Sequence, residues 1–318
     1  MSDDMNKQAM TAVLLMAYGT PSEQADIEPY YRNIRHNHAN PNPPKALLDE
    51  LTRRYLAIGL PSPLARITQA QGDGLQALLD EEAPGKYRVY VGLRYIEPFI
   101  AQTVERIVAD GAERIIGLPL APEYSSFSSE GYHNIVRAAL KEHPDIDYAP
   151  VKSWWRQGEL IDFWSQQLED LKALTDRPDT RLLFSAHSLL RRIIERGDPY
   201  GREVTDFAKA IAAQAGLRQD QWTLAWQSAG RTKEPWMGPA FESVARELVA
   251  EDGVKTVISA SIGFVAENLE IRYDIDITLK KIIQDEGGRL IRLSMPNDDI
   301  KLLKTLRSTV LDLEEPQG

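Results

Sequence analysis

The sequence predicts an α/β protein built as two Rossmann-like domains, each with a four-stranded parallel sheet flanked by helices and with a cleft between them. Three observations predict it. Short β-branched or aliphatic runs alternate with longer helical stretches, the rhythm of parallel sheets covered on both faces. Eight such runs suit two four-stranded layers better than one long sheet. The 318 residues are also enough for two average domains.

The elements follow in order. Residues 12–18 (AVLLMAY) are an unbroken apolar run and give the first strand; Thr20, Pro21 and Glu23 then stand as N-cap, N1 proline and N3 acid of the next helix. Helices are expected over 26–36, 45–58 and 65–82, a strand over 87–93, a helix over 100–109, a strand over 114–118, a helix over 134–141 and a strand over 147–151. The domain break falls near 152–158, dividing 1–152 from 153–296. The second half repeats the rhythm: helix 160–174, strand 181–186, helix 204–215, strand 223–227, helix 241–249, strand 256–264, helix 267–284 and strand 289–293. A last helix, 298–313 within a segment of about 297–314, is expected to pack back on the first domain. Two such similar halves are compatible with an old duplication.

Composition narrows the function classes. Hydrophobic residues at 43% and charged residues at 26% are ordinary for a globular chain, and 37 Lys+Arg against 47 Asp+Glu give −10, the wrong sign for coating nucleic acid or anionic lipid. With no cysteine, disulfides, thiolate zinc sites, iron–sulfur clusters and a Cys nucleophile are excluded, so metal chemistry must use His, Tyr and carboxylates. The polar start MSDDMNKQAM lacks the basic and apolar regions of a signal peptide. The apolar runs fall short of the roughly 20 residues that span a bilayer. The expectation is a cytoplasmic protein without membrane insertion.

In open α/β sheets ligands gather outside the carboxyl ends of the strands, and four places stand out there. Tyr18 ends the first strand at the mouth of the cleft; it is equally readable as an amphipathic tyrosine packed at a strand end. His187, one of five histidines, ends the run Leu183-Phe184-Ser185-Ala186 and is placed as a base or metal ligand, although a lone histidine is often structural. His36, His38, His133 and His143 read as surface residues. Glu267, Glu270 and Asp274 are spaced i, i+3, i+7, which on a helix stacks three acids along one face. They serve either as solvated charge near a positive helix end or, at a cleft, as a site for a divalent cation. Last, Tyr30, Tyr31, Arg32, Arg35, Arg53, Arg54, Tyr55 and Ser62 form a basic and aromatic zone. It suits either a flat, multiply anionic ligand or plain salt bridging on helix surfaces. Gly72-Asp73-Gly74 is no dinucleotide loop, no Walker A sequence is present, and Trp226-Gln227-Ser228-Ala229-Gly230 lacks the first glycine of a nucleophile elbow.

Taken together, Leu14-Leu15-Met16-Ala17-Tyr18-Gly19-Thr20-Pro21, Arg54-Tyr55-Leu56-Ala57-Ile58-Gly59, Ser62-Pro63-Leu64-Ala65, Gly92-Leu93-Arg94-Tyr95-Ile96-Glu97-Pro98, Ser185-Ala186-His187-Ser188-Leu189, Gly197-Asp198-Pro199-Tyr200, Trp226-Gln227-Ser228, Pro235-Trp236-Met237-Gly238-Pro239 and Gly263-Phe264-Val265-Ala266-Glu267-Asn268-Leu269-Glu270 resemble the ferrochelatases. The resemblance covers nearly the whole chain and is greatest to the short, cluster-free enzymes of Gram-positive bacteria that insert iron into coproporphyrin III. It implies the chelatase fold, with His187 and Glu270 as catalytic residues facing Fe²⁺ and the pyrrole nitrogens, and Tyr18 on the opposite side of the macrocycle as axial ligand to porphyrin-bound iron. It implies Tyr18, Arg35, Arg54, Tyr55, Ser62 and Tyr132 as porphyrin contacts, with Glu267 and Asp274 as an accessory acidic path. The family pattern departs at Leu190, where proline is usual, at Asn268, where a histidine is expected, and at Thr278, where related enzymes carry another glutamate.

The chemistry fits these residue types. Fe²⁺ must lose its waters while two protons leave a weakly acidic macrocycle, so the site needs a base and a ligand set that binds iron without trapping it. One His and one carboxylate leave most of the coordination sphere to the four porphyrin nitrogens. The resemblance implies haem b biosynthesis, no tightly bound cofactor, Fe²⁺ as substrate, a monomer, and a downstream haem-pathway enzyme as partner. The rivals are a protoporphyrin IX ferrochelatase, whose substrate has two carboxylates instead of four, and a non-catalytic haem or tetrapyrrole carrier on the same fold.

Overall fold

The computed structural model describes residues 10–35, 42–230 and 232–313; His36 and His38 lie outside the described residues. The first half contains strands β1 (Thr11–Ala17), β2 (Tyr87–Leu93), β3 (Arg114–Pro119) and β4 (Asp147–Pro150), with helices α1 (Ile27–Ile34), α2 (Lys45–Ile58), α3 (Pro63–Glu82), α4 (Ile100–Ala109) and α5 (Ser129–Ala139). The second half contains β5 (Thr180–His187), β6 (Trp222–Gln227), β7 (Thr256–Ala260) and β8 (Arg289–Arg292). Its helices are α6 (Gly158–Asp170), α7 (Lys172–Thr175), α8 (Arg191–Glu195), α9 (Tyr200–Gln214), α10 (Phe241–Ala250), a π-helix (Glu270–Leu279) continued by α11 (Lys280–Asp285), and α12 (Ile300–Leu311).

Both sheets are parallel throughout and share one strand order, β2-β1-β3-β4 and β6-β5-β7-β8. β1 shows why the sheets need cover on both faces, since all seven of its residues are buried. Ala12, Leu14 and Met16 join one apolar cluster with Ile100, Val104 and Val136, whereas Val13 and Leu15 join another. That is the two-residue period of a strand with helices above and below. The second cluster extends from Leu75 and Leu79 of α3 through Trp164 of α6 to Phe184 and Ala186 of β5, so the halves share one continuous core. Trp154 and Trp155, where the sequence places the domain break, are buried in it. α12 packs on α3 and also on α6.

The expected elements differ from the structure mainly at their ends. The strand expected over 256–264 stops at Ala260, and the rest of that apolar stretch forms a turn that leads into the π-helix. α5 begins at Ser129, five residues before the expected start, and α8 is a short helix that no periodicity announced. His133, expected on the surface, is fully buried: its Nε2 donates to the Val151 carbonyl at 2.9 Å and its Nδ1 accepts from the Tyr148 hydroxyl at 2.6 Å. Burial lowers its pKa and keeps it neutral.

Candidate active site

The shared strand order gives each sheet a switch point, between β1 and β3 in the first and between β5 and β7 in the second, because successive connections leave in opposite directions there. Tyr18 directly follows β1 and His187 ends β5, so the two residues hold equivalent places in the two halves. Tyr132 lies on the helix after β3 and Glu270 begins the helix after β7. The turn after β1 needs Gly19, which adopts φ +87° and would place a Cβ 2.6 Å from Ile96 Cγ2.

His187 is half-buried, flanked by the rings of Trp236 and Phe264, each with its centroid 6.4 Å away. Its Nδ1 lies 2.6 Å from the Ser188 carbonyl oxygen. A carbonyl can only accept, so Nδ1 carries a proton, and in the neutral imidazole it is Nε2 that offers its lone pair to a metal or a proton. The backbone beneath the ring is pinned: Ser188 N–H donates to the Gln227 carbonyl at 2.8 Å, Ser188 Oγ to the Met237 carbonyl at 3.0 Å, and the Tyr200 hydroxyl to the His187 carbonyl at 2.9 Å.

Glu270 stands at the first position of the π-helix, in which Lys280 N–H reaches back five residues to Ile275 O. Burial and neighbouring Asp274 raise the pKa of its carboxyl, while His187 and Arg54 pull it down. A carboxyl under such opposed influences can take up and release a proton more readily than an exposed one. Asp274 is itself buried and engaged: Oδ1 accepts from Arg54 Nη1 at 3.1 Å and Oδ2 from Ser228 Oγ at 2.5 Å. Arg54 also pairs with Glu50 at 3.1 Å and lies 4.7 Å from the Tyr273 ring centroid, tying α2 to the π-helix.

The row of three acids is broken at its first member. Glu267 precedes the helix instead of lying on it, its side chain is paired with Arg292 at 3.0 Å and with Arg272, and its N–H donates to Asn297 Oδ1 at 2.9 Å. The helix start is set by Asn268, whose Oδ1 accepts from Ile271 N–H at 2.9 Å. The i, i+3, i+7 spacing would align Glu267 with its partners only if an α-helix began there. Arg292, delivered by β8, and Arg272 hold it in ion pairs instead.

Across from Glu270 stands a wall of tyrosines. Tyr18 is 42% exposed and packs on Tyr95 and Tyr30, with ring centroids 4.5 and 6.3 Å away; its pKa is raised, first by burial and then by Tyr95 and Glu270. Tyr30 packs edge-on against Tyr55, which is buried, with its pKa pushed up by burial to about 12. Tyr132 is buried with Arg94 over its ring at 5.3 Å, and the same guanidinium lies 5.1 Å from the Tyr95 centroid. These phenols are neutral at ordinary pH and can stack on a flat ligand or offer an oxygen to a metal. The structure thus brings together Tyr18, Tyr55, Arg54, His187, Glu270 and Asp274. Buried Ser62, at the start of α3, and Arg35, just past α1, each carry a buried polar atom with no hydrogen-bond partner among the described residues, Oγ and Nε respectively.

The ferrochelatase family model matches residues 10–313. The chain belongs to the ferrochelatase family. It is 40% identical to the coproporphyrin III ferrochelatase of Geobacillus kaustophilus over 96% of each chain, and 40% identical to that of Listeria innocua over 94% of this chain and 97% of the relative. Among solved structures it resembles the sirohydrochlorin chelatase SirB of Bacillus subtilis subspecies spizizenii in complex with cobalt (TM-score 0.60, 13% identity, 97% of each chain). It also resembles CbiX, the terminal enzyme of siroheme biosynthesis in denitrifying bacteria (TM-score 0.54, 10% identity, 95% of this chain and 98% of the other). These likenesses show the chelatase fold.

Two family departures now have a structural account. Leu190 has φ −60° and ψ 127°, a conformation that proline shares, so the loop keeps its shape without adjustment. Asn268 supplies the helix cap where the family pattern has histidine. Residues that the sequence reading quoted without a role also gather here: Arg94 and Tyr95 after β2, Ser228 after β6, Trp236, Phe264, and Asp198 with Tyr200. For Arg94, Tyr95, Ser228 and Phe264 a position just past a strand end was the available signal, whereas Trp236, Asp198 and Tyr200 lie further along their connections and carried none.

Proposed function

We propose that this ferrochelatase-family chain inserts Fe²⁺ into coproporphyrin III, giving iron coproporphyrin and two protons in haem b biosynthesis. The observation that carries the reading is His187 with its Nε2 lone pair available, beside Glu270 and opposite Tyr18 at the equivalent switch points of the two sheets. In this reading the porphyrin lies between the tyrosine wall and His187. His187 Nε2 and the Glu270 carboxylate receive Fe²⁺ from solvent; as the four pyrrole nitrogens take the iron, the lone pairs so freed on His187 and Glu270 each accept one displaced pyrrole proton and then release it to solvent. Tyr18 is the oxygen ligand on the far face. Two protein donors bind the metal loosely enough to surrender it.

Support for four carboxylates on the substrate comes from the named relatives and from two arginines, Arg35 and Arg54, suited to pair with propionates, with Tyr55, Ser62 and Tyr132 as further porphyrin contacts in this reading. Asp274 supplies negative charge outward of Glu270 for arriving cations. α2 turns exposed ion pairs, Lys45–Asp49 and Arg53–Glu50, to solvent, which fits a water-borne substrate better than an apolar, membrane-resting one. No helix among the described residues is long and apolar enough to cross a membrane, in keeping with a cytoplasmic place of action. Fe²⁺ and porphyrin are both substrates in this scheme, with no resident cofactor; the chain acts as a monomer and passes its product to the next haem-pathway enzyme.

The test is anaerobic Fe²⁺ insertion followed by the change in porphyrin absorbance, with coproporphyrin III and protoporphyrin IX side by side. Multiple turnovers with a preference for coproporphyrin III are expected. A preference for protoporphyrin IX would overturn the substrate assignment, and stoichiometric binding without turnover would make the chain a carrier.

A further inference from the structure

Asp198 and Tyr200 tie the His187 turn to the opposite half of the molecule. The Tyr200 hydroxyl donates to the His187 carbonyl at 2.9 Å, while the imidazole itself is held by a backbone carbonyl and not by a carboxylate. The direction of the ring therefore follows the backbone of residues 187 and 188. Tyr200 is buried, begins α9 and packs on Trp226 with ring centroids 5.9 Å apart. Its own N–H donates to Asp198 Oδ1 at 3.0 Å.

The other Asp198 oxygen reaches across to the loop after β3. Oδ2 accepts from Ser126 N–H at 2.7 Å, Ser126 Oγ at 2.6 Å and Ser125 Oγ at 3.2 Å. Ser125 N–H in turn donates to Ser129 Oγ at 2.8 Å, in the first turn of α5, the helix that presents Tyr132. One turn on in α9, Glu203 accepts from Tyr124 N–H and Ser153 Oγ, both at 2.9 Å, which adds a second tie along the same edge. A chain of hydrogen bonds thus runs from the first turn of α5 to the His187 carbonyl, through buried Ser125 and Tyr200 and half-buried Asp198.

We infer that Asp198 and Tyr200 are positioning residues: they hold the His187 backbone in register with α5, so that porphyrin seated against Tyr132 meets Nε2 in line. The inference rests on the proposed metal insertion. Misplacement of a reacting group by about 1 Å costs about 100-fold in rate, so Tyr200→Phe and Asp198→Asn are each expected to lower kcat by about 10- to 100-fold with KM for coproporphyrin III little changed. Tyr200→Phe and Ser126→Ala act on one chain, so the double variant should lose less than the product of the two single losses.

Insertion kinetics on the four variants, scaled to the folded fraction from circular dichroism, read this arm. The ring ¹⁵N resonances of His187, assigned against His187→Ala, read a second arm that needs no substrate. They are expected to show the Nδ1–H form in the wild type and a shift or broadening in Tyr200→Phe. A kcat within twofold of wild type for Tyr200→Phe, or losses that merely follow the unfolded fraction, would overturn the inference. If the wild type inserts no metal, the function reading fails, and unchanged ¹⁵N resonances in Tyr200→Phe would overturn the positioning role independently.

Discussion

Replacing His187 with Ala removes the one imidazole among the described residues that a strand end delivers to the site, and iron insertion should vanish while circular dichroism stays native. Activity within a few-fold of wild type would sink the assignment. Glu270 and Asp274, by contrast, should not respond alike. Glu270→Gln keeps the shape but removes the proton acceptor, so kcat is expected to collapse with porphyrin binding intact. Asp274→Asn disturbs the partner of Arg54 and Ser228 and should act mainly on KM; equal losses at both positions would show diffuse charge without distinct roles. Arg54→Ala is expected to cost about 1–3 kcal/mol in kcat/KM through a lost charge-assisted contact to the porphyrin. Lys should rescue it only in part, lacking the bidentate fork. At this scale Tyr18, His187 and Glu270 were legible because each closes or follows an apolar run. Glu267 was not, because its direction depends on Arg292, which arrives 25 positions later in the chain.

Asn268 fixes where the π-helix starts, so Asn268→Ala should destabilise the protein by about 1 kcal/mol, read as a lower urea midpoint. An unchanged midpoint would mean that the cap contributes nothing. The loop after β3 makes a prediction of its own. Glu123 is buried with Oε1 unpartnered among the described residues, and burial, helped by Glu203, raises its pKa to about 8 from 4.5. The folded state keeps a proton that the unfolded chain releases, so this group's contribution is fully present below about pH 4.5 and is lost as pH rises through about 8. Glu123→Gln cannot ionise and should flatten that decline, giving a variant that gains on wild type at about pH 9 and matches it more closely at about pH 5. Parallel pH profiles for the two proteins would refute it. Periodicity announced nearly every strand and long helix, including a helix over 267–284, whereas the short α8 and the π register of Glu270–Leu279 carry no periodic signature.

Viewed whole, the molecule repeats one strand order in two sheets that share a core, and the substrate is expected to meet both halves at once. Because both Asp274 oxygens are engaged and Thr278 leaves the next place in the row uncharged, added Mg²⁺ or Ca²⁺ should leave the insertion rate unchanged. A metal titration of the steady-state rate checks this, and strong stimulation would point to an outer cation site. The sequence by itself determined the fold class, the absence of thiol chemistry and the strand ends that carry Tyr18 and His187, because apolar period and composition are local properties of the chain. Only the tertiary structure decided that Arg54 holds Asp274, that Glu267 pairs with Arg292, that His133 is buried and that Asp198 spans the halves. Each of these depends on which distant residue arrives as partner, and no local pattern encodes that.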